Sequence, residues 1–162
     1  MYAKQQNEFD FSKDYGDYIS LRFIFGVHPQ DSGDPKDPDN KGKLQFSRFN
    51  VSSPHSQRWL LRFCTFLQSH KLYRPPDSDS FNSMCFIATL KKWMTSRSCQ
   101  LSAPCCEKAR FPYKPNIFEL CLKEAISKLY VVPGHRLYPY SPGPRFDFND
   151  VIRGVIIEFP TK

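Results

Sequence analysis

The run VIRGVIIEF at residues 151–159 is apolar on both faces of an extended chain, interrupted only by Arg153, Gly154 and Glu158. It is too short to cross a bilayer, which takes about 20 apolar residues, and Arg153 adds a charge to it. Apolar residues on both faces mark a buried strand, here an interior β-strand with helices on one side. Near the other end, residues 19–27 set Ile19, Leu21, Phe23, Phe25 and Val27 against Ser20, Arg22, Ile24 and Gly26. That period of two predicts a second strand with one face on a core.

Three helices are predicted between these strands. Ser52 or Ser53 supplies a hydroxyl cap and Pro54 a first-turn proline for a helix reaching His70. Its buried side is expected to hold Trp59, Leu60, Phe63, Cys64, Phe66 and Leu67, with Arg58, Arg62, Thr65 and Ser69 opposite. A Pro/Asp/Ser-rich connection at 74–80 leads to a shorter helix at 84–95 that buries Phe86, Ile87, Leu90 and Trp93. Pro115 opens the third helix, to Tyr130, with Phe118, Cys121, Leu122, Ala125, Ile126 and Leu129 inward. Glu119/Lys123 and Glu124/Lys128 are spaced as i,i+4 pairs on its outer side.

Residues 28–42, HPQDSGDPKDPDNKG, hold too much proline, glycine and aspartate for helix or ladder and read as an exposed loop, as does the Pro/Tyr-rich stretch 131–145. The aspartates Asp31, Asp34, Asp37 and Asp39 do not make a calcium loop, because the twelfth position counted from Asp31 is Gly42 rather than glutamate. The element order gives an α+β class with split βαβ ingredients. Two strands alone leave edges unpaired, so the sheet is expected to be incomplete without further strands or a partner.

Composition agrees with one core. The chain has 162 residues, 40% hydrophobic and 15% aromatic, which excludes a disordered or fibrous protein. Fourteen prolines against seven glycines stiffen the connections. The net charge of +7 comes from scattered cations, among them Lys41, Lys43, Arg58, Arg62, Lys91, Lys92, Arg97, Lys108, Arg110, Lys123 and Lys128. With no run of five they read as a solvated basic surface, and no nucleic-acid partner is expected.

Cys64, Cys85, Cys99, Cys105, Cys106 and Cys121 are an even set crowded into the middle of the chain, and they read as a disulfide framework. The competing reading is six buried thiols of a cytosolic protein. No Cys-x-x-Cys knuckle is present, and His28, His55, His70 and His135 lack ligand spacing, so no metal or other cofactor is expected. Adjacent Cys105 and Cys106 are expected to pair with different partners, left open among 15 connectivities. No nucleophile elbow, phosphate loop or paired-carboxylate pattern appears, and the chain is not expected to be an enzyme. Asn50-Val51-Ser52 is an N-glycosylation acceptor pattern.

An oxidised framework belongs outside the cytosol, yet the polar residues 1–18 contain no signal-peptide core. The expected reconciliation is a piece of a larger membrane-inserted or secreted protein, Met1 not being that protein's natural start.

Residues 21–159 carry a resemblance. FGVHPQDSGDPKDPDNKG at 25–42, FNVSSPHSQRWLLRFCTFL at 49–67, CFIATLKKWM at 85–94, the vicinal Cys105 and Cys106, FPYKPNIFELCLKEAI at 111–126 and PGPRFDFNDVIRGVIIEF at 142–159 resemble an extracellular domain of the Dispatched family. These are multi-span, sterol-sensing-domain proteins of the resistance-nodulation-division (RND) superfamily, related to Patched. The resemblance implies a ferredoxin-like RND-type ectodomain, incomplete here, carrying a disulfide-linked helical insertion. It implies a place in the plasma membrane of the parent protein, with residues 19–162 outside the cell and 1–18 unplaced. It implies release of a cholesterol-modified Hedgehog ligand, the clamp being shared with a second ectodomain while transmembrane helices supply the ion-coupled motor. The partners implied are that lipid-modified ligand and the remainder of the transporter. The alternative is a secreted disulfide-linked module that binds anionic glycans through its basic surface.

Overall fold

The computed structural model describes residues 20–28, 33, 36–37, 39, 45–47, 49–73, 85–99, 104–129, 142–147 and 149–161. Residues 1–18, Asp31, Asp34, Gly42, the 74–80 connection, the predicted helix start at 84, and residues 131–141 of the Pro/Tyr-rich stretch lie outside them.

The chain folds as strands β1 (Ser20–Phe25), β2 (Val27–His28) and β3 (Gln45–Phe46), helices α1 (Pro54–Ser69), α2 (Phe86–Thr95) and α3 (Pro115–Leu129), then β4 (Gly143–Phe146) and β5 (Ile152–Pro160). The main sheet is antiparallel in the order β1-β5-β4. The apolar run at 151–159 is thus the central strand, paired on both sides, as its composition requires.

The sheet departs from expectation in two places. The nine-residue first strand is cut at Gly26, whose φ of 89° turns the chain; Val27 and His28 leave the sheet to pair with Phe46 and Gln45. The third strand, β4, lies in a stretch predicted to be loop. Pro144 hid it from propensity, but an edge strand tolerates a proline, and β4 pairs only with β5 among the described residues. Its register shifts between Arg145 and Phe146.

Side-chain alternation gives the sheet two different faces. Phe23, Phe25, Val155, Ile157 and Phe159 share the face that packs on the helices. The ring of Phe23 meets Phe63 edge-on at 5.2 Å, and Phe25 meets Trp59 at 5.2 Å. On the other face Arg22 lies 3.7 Å from Glu158, and Ile24 is 58% exposed. The core is formed by Leu60, Cys64 and Leu67 of α1, Phe86, Ile87, Leu90 and Met94 of α2, Phe118, Leu122 and Ile126 of α3, and the inner face of β5. Each such side chain contributes about 1.5–3 kcal/mol on burial.

α1 begins where its cap residues dictate. The hydroxyl oxygen of Ser53 accepts from the Ser56 N–H at 3.1 Å, and Pro54 fills the first turn, where a missing N–H costs nothing. The single wide apolar stripe expected on α1 is corrected to two. Leu60, Cys64 and Leu67 face the other helices, while Trp59, Phe63 and Phe66 lie about 100° round the axis, toward edge strand β1. A six-residue sheet edge cannot cover that second stripe, so Trp59 remains 40% and Phe66 62% exposed.

Candidate functional site

Three bridges tie the helical layer together. Cys64 in the middle of α1 joins Cys85, the residue that caps α2, with Cα atoms 5.9 Å apart. Cys99, just past α2, joins Cys106, and Cys105 joins Cys121 in α3. The vicinal pair therefore holds one turn, residues 104–110, to both the segment leaving α2 and the body of α3. No cysteine is free. The Glu107 N–H donates to the Arg97 carbonyl at 2.9 Å, and the Arg97 guanidinium lies 4.3 Å from the Trp93 ring and 3.0 Å from Glu124.

Glu124 accepts from Lys128 at 2.7 Å, one turn further along α3. That hydrogen bond, with the Arg97 charge beside it, holds the Glu124 carboxyl below the usual glutamate range. The other expected pair, Glu119 with Lys123, is replaced by different partners. Glu119 Oε1 accepts from the Ser52 hydroxyl at 2.6 Å, and the Lys123 ammonium sits 5.8 Å from the centre of the Phe146 ring.

Ser52 belongs to a buried polar corner at the start of α1. Gln57, fully buried, donates from Nε2 to the carbonyls of Ser52 and Tyr113 at 2.8 Å each. Its Oε1 accepts from the Tyr113 N–H, also at 2.8 Å. One side-chain amide thus pairs with the Tyr113 backbone as a neighbouring strand would, and both its donors and its acceptor are used. Sequence reading missed Gln57, though its place one turn before Leu60 on the buried stripe was the available signal. Asn50, the acceptor of the glycosylation pattern, lies exposed beside this corner and accepts through Oδ1 from the Ser52 N–H at 3.1 Å.

The β4–β5 connection is organised by Asp147. Its carboxylate accepts from the N–H groups of Asn149 and Val151 at 2.9 and 3.0 Å and from Arg153 Nε at 2.8 Å. The Arg153 hydrogen bond leads the causes that hold Asp147 below the usual aspartate range. Asp150 closes the turn at a φ of 58°, a conformation aspartate tolerates better than most residues.

Small crevices border the core among the described residues. One lies between α1 and β5 beside Cys64 and Cys85, another between α2 and α3, and each of these holds about 10 Å³. That is room for at most one water, where a drug-sized ligand takes roughly 300–1,000 Å³. The cations Arg58 and Arg62 lie on α1, Lys91 and Lys92 on α2, and Lys108 and Arg110 on the 104–110 turn. Among the described residues no His/Cys/Asp/Glu group has the arrangement of a metal site, and no helix is long and apolar enough to cross a membrane.

No protein-family profile matches the chain. Individual relatives do. Dispatched homolog 1 of Mus musculus is 46% identical over 145 residues, which cover 88% of this chain, and the Homo sapiens homolog 1 is equally close. The protein dispatched of Drosophila melanogaster is 32% identical over 158 residues, 90% of the chain. The chain belongs to the Dispatched family. It spans about 10% of the mouse Dispatched relative and 13% of the fly one. For a Dispatched segment the prominent features are then the sulfur-tied helical layer, the exposed Trp59 and Phe66 rim along β1, and the polar corner at Asn50, Ser52 and Gln57.

Proposed function

We propose that the chain is an outside-facing lobe of a Dispatched-type transporter, and that it serves the release of a cholesterol-modified Hedgehog ligand without catalysing a reaction. The observation that carries this reading is 46% identity to Dispatched homolog 1 across 88% of the chain. Three bridges support the placement, since disulfides form and persist in oxidising compartments and are rare in reducing ones. Helices on one face of an antiparallel sheet, with the first and last strands as neighbours, support an incomplete ferredoxin-like lobe.

The lobe acts as a surface. Among the described residues the crevices between the helices and beside β5 are far too small for a sterol, which is consistent with a clamp shared with a sister ectodomain. The exposed Trp59 and Phe66 rim is the face that meets other parts of such a transporter, the chain matching about 10% of the length of the mouse relative.

The test is an exchange. Residues 20–161 replace the matching segment of mouse Dispatched homolog 1 in cells lacking their own Dispatched, and cholesterol-modified ligand in the medium is measured. The expected result is release close to that of the unaltered mouse protein. A chimera that reaches the cell surface and releases no more than untransfected cells would overturn the reading.

A further inference from the structure

Asn50-Val51-Ser52 offers an amide nitrogen two residues before a hydroxyl, and the fold shows what each of those groups is free to do. The Ser52 N–H can donate only to an oxygen, so the atom 3.1 Å from it is Oδ1 and the Asn50 amide is oriented without ambiguity. Nδ2 then points away from that bond, on an exposed residue with no protein partner among the described residues. A sugar on Nδ2 leaves Oδ1 as acceptor, so the Asn50 turn survives the modification. Val51 and Ser52, 0% and 2% exposed, hold the attachment point rigidly against the start of α1.

The serine tells the opposite story. A transferase recognises the hydroxyl of its acceptor, and the Ser52 hydroxyl is spent inside the fold on Glu119 at 2.6 Å. Once α3 docks, held by the Cys105–Cys121 bridge, the acceptor is closed. Ser52 and Glu119 are 67 residues apart, so synthesis delivers the acceptor before its partner. At 5–20 residues per second that separation leaves roughly 3 to 13 s.

Resting on the outside-facing placement argued above, we infer that Asn50 carries an N-linked glycan, installed before Ser52 closes on Glu119. The donor is an oligosaccharide on a lipid diphosphate. Nδ2 forms a bond to the anomeric carbon as that carbon's bond to the diphosphate oxygen breaks. The lipid diphosphate leaves with the electron pair, Nδ2 gives up one proton to a base, and nothing is oxidised or reduced. The glycan then stands beside Phe49, whose ring lies 6.4 Å from that of Trp59, at one end of the aromatic rim.

The experiment uses the complete parent polypeptide made in animal cells, with mass spectrometry of the tryptic peptide 49–58 before and after peptide N-glycosidase. The expected result is a glycopeptide that the enzyme converts to one bearing aspartate at position 50. Asn50→Asp keeps the acceptor oxygen for the Ser52 N–H while removing the reactive nitrogen, and it should lose the glycan without losing the fold. A second variant, Val151→Thr, places an acceptor pattern at exposed Asn149. A glycan on Asn149 with none on Asn50 overturns the inference and leaves the placement standing; none on either overturns both. Dithiothreitol during synthesis delays bridge closure and should keep or raise occupancy at Asn50. A fall under reduction overturns the proposed timing.

Discussion

The helical layer and the sheet of this chain solve the same problem in different ways. Between residues 64 and 121, three covalent bridges join α1, α2, α3 and the 104–110 turn. The sheet holds no sulfur and depends on the two ladders of β5 and on ring contacts to α1. Among the described residues one of its faces is open, with Ile24 58% exposed, and edge strand β1 leaves the aromatic rim of α1 half covered. Covalent restraint is therefore concentrated in the helical layer, and the sheet carries exposed apolar side chains instead.

The strongest way to break that contrast is to remove sulfur. Replacing Cys105 and Cys121 together by serine frees a loop with a sequence separation of 16, which costs about 3 kcal/mol by loop entropy; the Cys64–Cys85 pair, with a separation of 21, costs slightly more and Cys99–Cys106 slightly less. Urea unfolding of the double variants should follow that order. Equal losses for all three pairs would mean that strain or residual structure, rather than loop length, sets the contribution of each bridge.

Next in size is Gln57→Leu. It fills similar space but strands the Tyr113 N–H and carbonyl and removes a partner of the Ser52 carbonyl, at a cost of roughly 2–3 kcal/mol for buried groups left unpaired. The same midpoint measurement checks it. A loss as small as that of a surface substitution would show that water enters the corner and replaces the amide.

These two expectations also mark what the sequence could reveal. Helix starts were legible because Ser53 and Pro54 state their positions chemically, and β5 because nine largely apolar residues have only a buried strand to occupy. The cysteine set was legible as a framework, but pairing depends on chain path, which spacing does not encode. Trp59 and Phe66 were misplaced because periodicity places residues around an axis without saying how wide the neighbouring element is. β4 was missed because Pro144 lowers strand propensity, a penalty that an edge position escapes. Gln57 was passed over because nothing local to it names Tyr113, 56 residues away, as its partner.

Within the sheet, a paired substitution sharpens the comparison between the close backbone crossing of the ladder and the side chains of the open face. A Cβ added at Gly154 would sit 2.6 Å from the Phe25 carbonyl oxygen, at the crossing of β1 and β5. Gly154→Ala should cost about 1–3 kcal/mol as backbone is forced apart. Ile24→Thr, one strand away on the open face, should change stability by no more than about 0.5 kcal/mol when the chain is measured alone. A large loss from Ile24→Thr would mean that the open face is already covered.

The smallest expected effect is electrostatic, and it separates the two regions by the order in which they loosen in acid. Glu124 in the helical layer and Asp147 at the β4–β5 turn both have folded pKa values depressed below their ordinary ones. A depressed carboxylate contributes stability that is fully present above its unfolded pKa and is lost as pH falls through the folded one. Both regions therefore weaken on acidification below the ordinary carboxylate range. Protonating Glu124 loosens its contacts to Lys128 and Arg97, but the Cys105–Cys121 bridge still pins α3 one turn earlier. Protonating Asp147 weakens the three hydrogen bonds that shape its turn, and no covalent link replaces them. Amide hydrogen exchange should accordingly rise at Asn149 and Val151 before it rises in α3, and Asp147→Asn should flatten the first change while Glu124→Gln flattens only the second. High salt should weaken both steps, because the charges involved lie near the surface. If α3 opened first, the bridge would not be the restraint that distinguishes the helical layer from the sheet.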